Sequence, residues 1–177
     1  APVRVVVFGD YLEPNTIEGD GVLRAIGAAQ PGVVSYTFLQ FPFDQACNAG
    51  VPMTKHANAC VAARLAEAAG TLLGSDGFWK AHAWLMADRS RTERVLAHGL
   101  ATNELARHLG VEAGTLFDAS VSAGVADLVQ RDIRSAQGTG LTSLPWIIVD
   151  GRVVRQWRVG KENLLTRALP GGWKQRL

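Results

Sequence analysis

Two cysteines are the residues of this sequence with the most distinctive chemistry. Cys47 and Cys60 are the only cysteines in 177 residues, and residues 48–59 lie between them. This spacing excludes a Cys-x-x-Cys dithiol. In an oxidising compartment the pair is expected to form one disulfide, which is either a structural crosslink or an alternative redox pair.

Acidic residues near the start of the chain form a second candidate centre. Glu13 precedes a predicted helix and is either a general acid or base or a helix-end carboxylate. Asp10 is close enough to perturb Glu13, or it turns the chain. His56 lies four residues before Cys60, where it could lower the pKa of the thiol or suggest a metal site. Three candidate ligands without a fourth predict no metal.

The elements that would position these residues begin with a strand, a helix and a strand. The β-branched run at 3–8 predicts a buried strand, and residues 33–41 predict a second one. Between them we expect a helix that is capped by Asn15 or Thr16 and ends at residues 30–32. Such a unit has parallel strands and a right-handed crossover.

Helical patterns fill the middle of the chain, from about residue 55 to residue 138. Apolar residues recur there at helical spacing, and no convincing strand interrupts them. The four apolar stripes cover residues 61–72, 78–86, 95–109 and 116–133. These stripes predict a helical layer.

The pattern changes after residue 140. Apolar runs at 146–149 and 153–159 flank Asp150 and Gly151, which predicts a β-hairpin with a type I′ turn. A final helix is expected over residues 161–169. Without an internal repeat or linker, we expect a single domain over residues 1–177 with a helical insertion at about 55–138.

Composition excludes several classes of partner. The chain is 47% hydrophobic and 19% charged, and its formal net charge is +2. Its Lys and Arg residues are scattered, so a nucleic-acid partner is not expected. No apolar run approaches the ~18 residues that cross a bilayer, so we expect no membrane insertion by this segment. No cofactor is predicted.

Three motifs resemble the DsbA-like thioredoxin-fold family and occur in the family's order. Residues 6–16 resemble the strand that leads into the family's Cys-Pro-x-Cys, and residues 41–63 with 78–82 resemble its second strand and helical insertion. Residues 140–152 resemble the loop that carries its cis-proline. The resemblance implies an α/β thioredoxin fold, with a central mixed sheet, a βαβ unit, a β-hairpin and helix, and a helical insertion.

The resemblance also implies a replaced catalytic motif. The residues that stand where the family carries Cys-Pro-x-Cys are Glu13, Pro14, Asn15 and Thr16. A carboxylate is electrostatically favourable at a helix N-terminus, and threonine is close to cysteine in size. The fold would then be kept while the dithiol reaction is lost. Pro145 matches the family's cis-proline, so a cis Leu144–Pro145 bond is expected.

The leading hypothesis is a redox-inactive domain that binds a polypeptide or a partner protein domain beside this replaced motif. No catalytic residue is assigned. The binding groove is expected to contain Tyr11, Glu13, Leu144, Pro145 and Trp146. Trp146 would either bind a peptide side chain or fill space.

Two alternatives stay open. A thiol-disulfide oxidoreductase or isomerase would use Cys47 and Cys60, the only cysteines in a fold associated with redox chemistry. A glutathione-dependent transferase or isomerase would use the hydroxyl of Thr16. The resemblance and the even number of cysteines favour a periplasmic or otherwise extracytoplasmic location.

Overall fold

Four strands form a central sheet in the computed structural model, which describes residues 2–29, 31–160 and 162–165. The strands are β1 (Val3–Gly9), β2 (Val34–Gln40), β3 (Trp146–Val149) and β4 (Arg152–Val154). Their order is β2-β1-β3-β4. β1 pairs parallel to β2 and antiparallel to β3, and β3 pairs antiparallel to β4. The sheet is therefore mixed.

One helix joins the first two strands, and five more lie between β2 and β3. The helices are α1 (Pro14–Ala29), α2 (Ala59–Ala87), α3 (Arg89–Ala97), α4 (Ala101–Leu109), α5 (Ala113–Val121) and α6 (Ala123–Ala136). A small antiparallel pair, β5 (Arg158–Val159) and β6 (Glu162–Asn163), follows β4. None of the helices in the described part of the chain has the length and hydropathy to cross a bilayer.

The core joins the sheet to the helical layer. Val5 and Val7 of β1 are fully buried in this core, and Phe8 on the opposite face of the strand is buried in a second apolar cluster. α2 buries a face rich in alanine that includes Ala62, Ala66 and Ala69. Short side chains let neighbouring helices approach closely, and α2 contacts each of α3, α4, α5 and α6.

The predicted helical stripes are present, and two of them are divided further. The first two stripes are the two halves of α2, which meet at a kink at Gly74, where φ is 72° and ψ is −164°. The third stripe divides near Gly99, which has a φ of 68°. The fourth divides at Ser122, whose hydroxyl accepts a hydrogen bond from the backbone N–H of Val125 and so caps α6.

The last predicted elements need correction. Asp150 and Gly151 both have positive φ, 46° and 81°, as a type I′ turn requires. The strand predicted over residues 153–159 is wrong beyond Val154, because Arg158–Val159 turn away from the sheet and pair with Glu162–Asn163. The helix predicted over residues 161–169 is therefore wrong at β6, and its positions 161 and 166–169 lie outside the described residues.

Candidate functional site

Cys47 and Cys60 are joined by a disulfide bond. Their sulfur atoms are 2.09 Å apart, and their Cα atoms are 5.8 Å apart. Cys60 is the second residue of α2 and is 5% exposed, whereas Cys47 lies half-buried in the turn after β2. Cys47 is therefore the more accessible member of the pair.

The start of α2 also receives a buried carboxylate. Asp44 Oδ2 accepts a hydrogen bond from the backbone N–H of Cys60 at 3.4 Å, and its Oδ1 accepts one from Ala46 at 3.0 Å. Asn58, which precedes the helix, makes no capping hydrogen bond with its side chain. A thiolate at Cys60 would thus be stabilised by the helix N-terminus and opposed by Asp44.

Glu13 caps the other helix that the resemblance singled out. Its Oε1 accepts hydrogen bonds from the backbone N–H and the side-chain amide of Asn15, at 3.2 and 3.0 Å. Its carbonyl accepts from the backbone N–H of Ile17. The predicted cap at Asn15 or Thr16 is therefore wrong. The helix starts two or three residues earlier, because Pro14 is well suited to its first position.

His56 brings two carboxylates together at this end of α1. Its Nδ1 lies 2.9 Å from Asp10 Oδ2, and its Nε2 lies 3.7 Å from Glu13 Oε2. Asp10 is fixed by the backbone N–H groups of Leu12 and Phe43, both at 2.8 Å. No local sequence pattern predicts this pairing, because His56 is 46 residues from Asp10.

The Asp10 contact controls the titration of His56. The hydrogen bond with Asp10 raises the pKa of His56 above its ordinary value and outweighs the opposing effect of burial. The negative charges of Asp10 and Glu13 act in the same direction. The site therefore favours an imidazolium held between two carboxylates.

The proline loop lies against the middle of α1. The Leu144–Pro145 peptide bond is cis, in agreement with the resemblance. A Cβ atom at Gly19 would come within 3.2 Å of Pro145 Cγ, so glycine permits this close approach. A cavity of about 260 Å³ opens nearby, lined by Asn15, Ser143, Leu144, Arg155, Gln156, Trp157 and Arg158.

The residues expected in the binding groove are mostly buried. Tyr11 is 1% exposed and Trp146 is 7% exposed, and Leu144 and Pro145 are also buried. Tyr11 belongs to the main core, and Trp146 packs in a second apolar cluster. Only Glu13, which is half-buried, offers part of its side chain to solvent.

The hydroxyl proposed for glutathione chemistry is enclosed. Thr16 is fully buried, and its Oγ1 accepts a hydrogen bond from the backbone N–H of Asp10 at 3.5 Å. A buried hydroxyl is not available to a ligand at the surface.

Among residues 2–29, 31–160 and 162–165, no group of three His, Cys, Asp or Glu side chains is arranged to hold a metal ion.

A buried series of hydrogen-bonded polar side chains crosses the core. The sequence analysis did not predict it. Asp20 Oδ1 lies 2.9 Å from His82 Nε2, and His82 Nδ1 lies 3.1 Å from the hydroxyl of Tyr11. Gln40 Nε2 contacts that hydroxyl at 3.4 Å and donates to Glu67 Oε1 at 3.1 Å. The sequence placed His82 in the helical layer, where it is indeed buried, but gave no sign of its partners.

Burial and hydrogen bonding shift the pKa values of these buried polar side chains in opposite directions. Burial raises the pKa of Tyr11 well above its ordinary value and also raises that of Glu67. For Asp20, burial is outweighed by the hydrogen bond with His82 and by charge interactions with His82 and Arg24, so its pKa is lowered. Asp20 is therefore held as a carboxylate inside the protein.

Comparison with known proteins identifies similar solved structures. No protein-family model matches the chain, and no curated protein sequence matches it. Oxidised BdbD from Bacillus subtilis is 25% identical, with a TM-score of 0.69 over 88% of this chain and 80% of BdbD. A thioredoxin-like oxidoreductase from Silicibacter pomeroyi is 20% identical, with a TM-score of 0.65 over 85% of this chain and 76% of that one. The oxidoreductase DsbA from Xylella fastidiosa is 21% identical, with a TM-score of 0.60 over 86% and 75% of the two chains.

These findings correct the leading functional hypothesis. The prediction of a redox-inactive binding domain is wrong, because the two cysteines form a disulfide in a fold shared with DsbA oxidoreductases. The predicted loss of the redox dithiol is wrong for the same reason. The findings favour the alternative, in which Cys47 and Cys60 carry the redox chemistry. The predicted fold is confirmed: the chain has the DsbA-like thioredoxin fold, with a mixed central sheet and, in the part of the chain that the structure describes, six helices.

Proposed function

We propose that this protein is a thiol-disulfide oxidoreductase whose redox pair is Cys47–Cys60. The observation that carries the proposal is the position of Cys60 as the second residue of the 29-residue helix α2. The first backbone N–H groups of a helix have no partner within it, and their partial positive charge favours a thiolate. Reduction of the disulfide would leave Cys60 in this environment.

Accessibility assigns the two sulfurs different roles. A substrate thiolate attacks Sγ of Cys47, because Cys47 is half-buried and Cys60 is buried. A bond forms between the substrate sulfur and Cys47 as the Cys47–Cys60 bond breaks, and Cys60 leaves as a thiolate. A leaving group stabilised as a thiolate departs faster, so α2 assists this step.

A second substrate thiol completes the reaction. Its thiolate attacks the substrate sulfur of the mixed disulfide, and Cys47 leaves and takes up a proton. The substrate dithiol is oxidised to a disulfide and loses two electrons and two protons, which the Cys47–Cys60 pair gains. An external disulfide must then reoxidise the pair by the reverse exchange.

The loop around Cys47 fixes the attacked sulfur in place. Gln130 Nε2 donates to the carbonyl of Cys47 at 2.5 Å. Asn48 donates from its side chain to the carbonyl of Pro42 at 2.9 Å and from its backbone to that of Asp44. These contacts involve neither sulfur atom, so they can persist in the reduced protein.

The same chemistry indicates the setting. We propose that the substrate is a polypeptide dithiol and that the protein works in a periplasmic or other extracytoplasmic compartment, where disulfides persist. We also propose that residues 1–177 act as one thioredoxin-like domain with its helical insertion at about 55–138.

Turnover of a dithiol peptide tests the proposal. The oxidised protein is mixed with a fluorescent peptide that carries two cysteines, in the presence of oxidised glutathione, and peptide oxidation is followed by mass. Wild-type protein is expected to accelerate the reaction, whereas Cys47→Ser and Cys60→Ser proteins are not. Equal rates for the wild type and both variants would refute the proposal.

A further inference from the structure

A cavity of about 350 Å³ opens beside Cys47. Asn48, Ala49 and Gly50, which directly follow Cys47, form one side of the cavity. Gln130, whose amide binds the carbonyl of Cys47, forms part of the other. The cavity therefore adjoins the more accessible cysteine of the proposed redox pair.

An apolar cluster connects the cysteine to this cavity. Cys47 packs with Phe41 against a cluster that contains Ile133. Phe41 and Ile133 also line the cavity, together with Leu141. The cavity can enclose an apolar side chain and its backbone, since pockets of about 300 Å³ or more bind small ligands.

The polar part of the cavity wall is neutral or basic. Among its lining residues no side chain is acidic, and the charged one is Arg134. Arg134 is exposed, and no carboxylate in the described ranges lies within ion-pair distance of it. Gln137 provides a further exposed amide beside it. A guanidinium next to amides is suited to a carboxylate.

We propose that this cavity is a substrate subsite, which binds an apolar residue and an acidic residue close to the reacting cysteine of a polypeptide. The inference rests on the proposed oxidoreductase function. The mixed disulfide to Cys47 would tether the substrate, so that neighbouring residues reach the cavity at high effective concentration. Arg134 then selects acidic sequences over basic ones.

Charge reversal at Arg134 tests the subsite. Two dithiol peptides are compared. Both have a leucine next to the first cysteine, and they differ only at the position two residues from that cysteine, which is Asp in one peptide and Lys in the other. The Arg134→Glu protein is expected to lose about two- to fivefold in kcat/KM for the Asp peptide and to gain for the Lys peptide. Arg107→Glu, an exposed arginine of α4 outside the cavity, provides the matched control.

A redox-inert ligand separates this inference from the proposed function. The same peptides with serine in place of cysteine are titrated into the wild-type, Arg134→Glu and Arg107→Glu proteins, with binding measured by NMR shifts of Gln130 and Gln137. Preference for the Asp peptide that only Arg134→Glu reverses supports the subsite, even if the protein oxidises nothing. If oxidation occurs but Arg134→Glu and Arg107→Glu behave alike with both peptides, the subsite is refuted and the oxidoreductase function stands.

Discussion

The N-termini of α1 and α2 both have backbone N–H groups with partial positive charge, but different side chains lie beside them. At α1 the first backbone N–H groups face the carboxylate of Glu13. At α2 one of them, the N–H of the half-cystine Cys60, donates to the carboxylate of Asp44. A helix N-terminus stabilises a carboxylate and a thiolate alike, so the residue type decides whether the position can carry electrons. Of these two helix starts, that of α2 has the sulfur.

One loop ties the two helix ends together. His56 binds Asp10 at the start of α1, and its carbonyl accepts the backbone N–H of Ala59 at the start of α2. The same loop contains Cys47. His56 at one helix end and the proposed redox pair at the other are therefore joined by one segment of backbone.

The strongest difference between the two ends is expected in exchange with thiols. Cys60→Ser protein should form a mixed disulfide at Cys47 with a peptide whose cysteine is activated as an aromatic disulfide, and the aromatic thiol is the leaving group. Cys47→Ser protein should react at least about a hundredfold more slowly, because Cys60 is buried. The Glu13→Gln protein should exchange with thiols at a rate within about twofold of the wild-type rate. Trapped adducts are measured by mass spectrometry. Faster labelling of Cys60 than of Cys47 would contradict the assigned roles.

The buried link between α1 and α2 gives the next largest effect. Asp20→Asn should lower the free energy of unfolding by roughly 3–5 kcal/mol, because it leaves His82 and Arg24 without a charged partner. Urea unfolding measures the loss, with the exposed Asp127→Asn of α6 as control. Thiol exchange in the folded variant should stay unchanged. A loss below about 1 kcal/mol would show that the buried pair is dispensable.

The sequence was informative about the sheet and much less so about the site. Alternating and β-branched runs predicted β1 and β2 closely, since a strand pattern is local. The cap at Glu13 and the links of His56 and His82 depend on residues far apart in the chain, which no local pattern reveals. The cysteine pair could be counted, but the hydrogen bond from Cys60 to Asp44 at the start of α2 needed the structure.

Asp44 provides a smaller and more specific test of the α2 end. Asp44→Asn keeps an acceptor for the backbone N–H of Cys60 but removes the negative charge beside it. The reduced pair should become more stable, with the equilibrium against glutathione shifted by roughly three- to tenfold. The exposed Asp118→Asn of α5 is the control. A shift towards the oxidised form would contradict this view of the helix end.

The pH dependence of stability tests the α1 end. The pKa of His56 is raised in the folded state, so its contribution is fully present below the ordinary value of about 6.5 and disappears as pH rises through the raised value. His56→Gln should therefore destabilise the protein more at pH 6 than at pH 9, in urea unfolding. His98→Gln, exposed at the end of α3, is the control. A larger loss of unfolding free energy at pH 9 than at pH 6 would contradict the raised pKa of His56.

The redox equilibrium of the Cys47–Cys60 pair tests the central claim most directly. The protein is equilibrated in glutathione buffers of graded potential, quenched with acid, and its free thiols are alkylated and counted by mass spectrometry. An oxidoreductase pair is expected to titrate reversibly at a midpoint well above about −300 mV. A disulfide that stays oxidised below that potential in the folded protein would be structural and would contradict the proposed function.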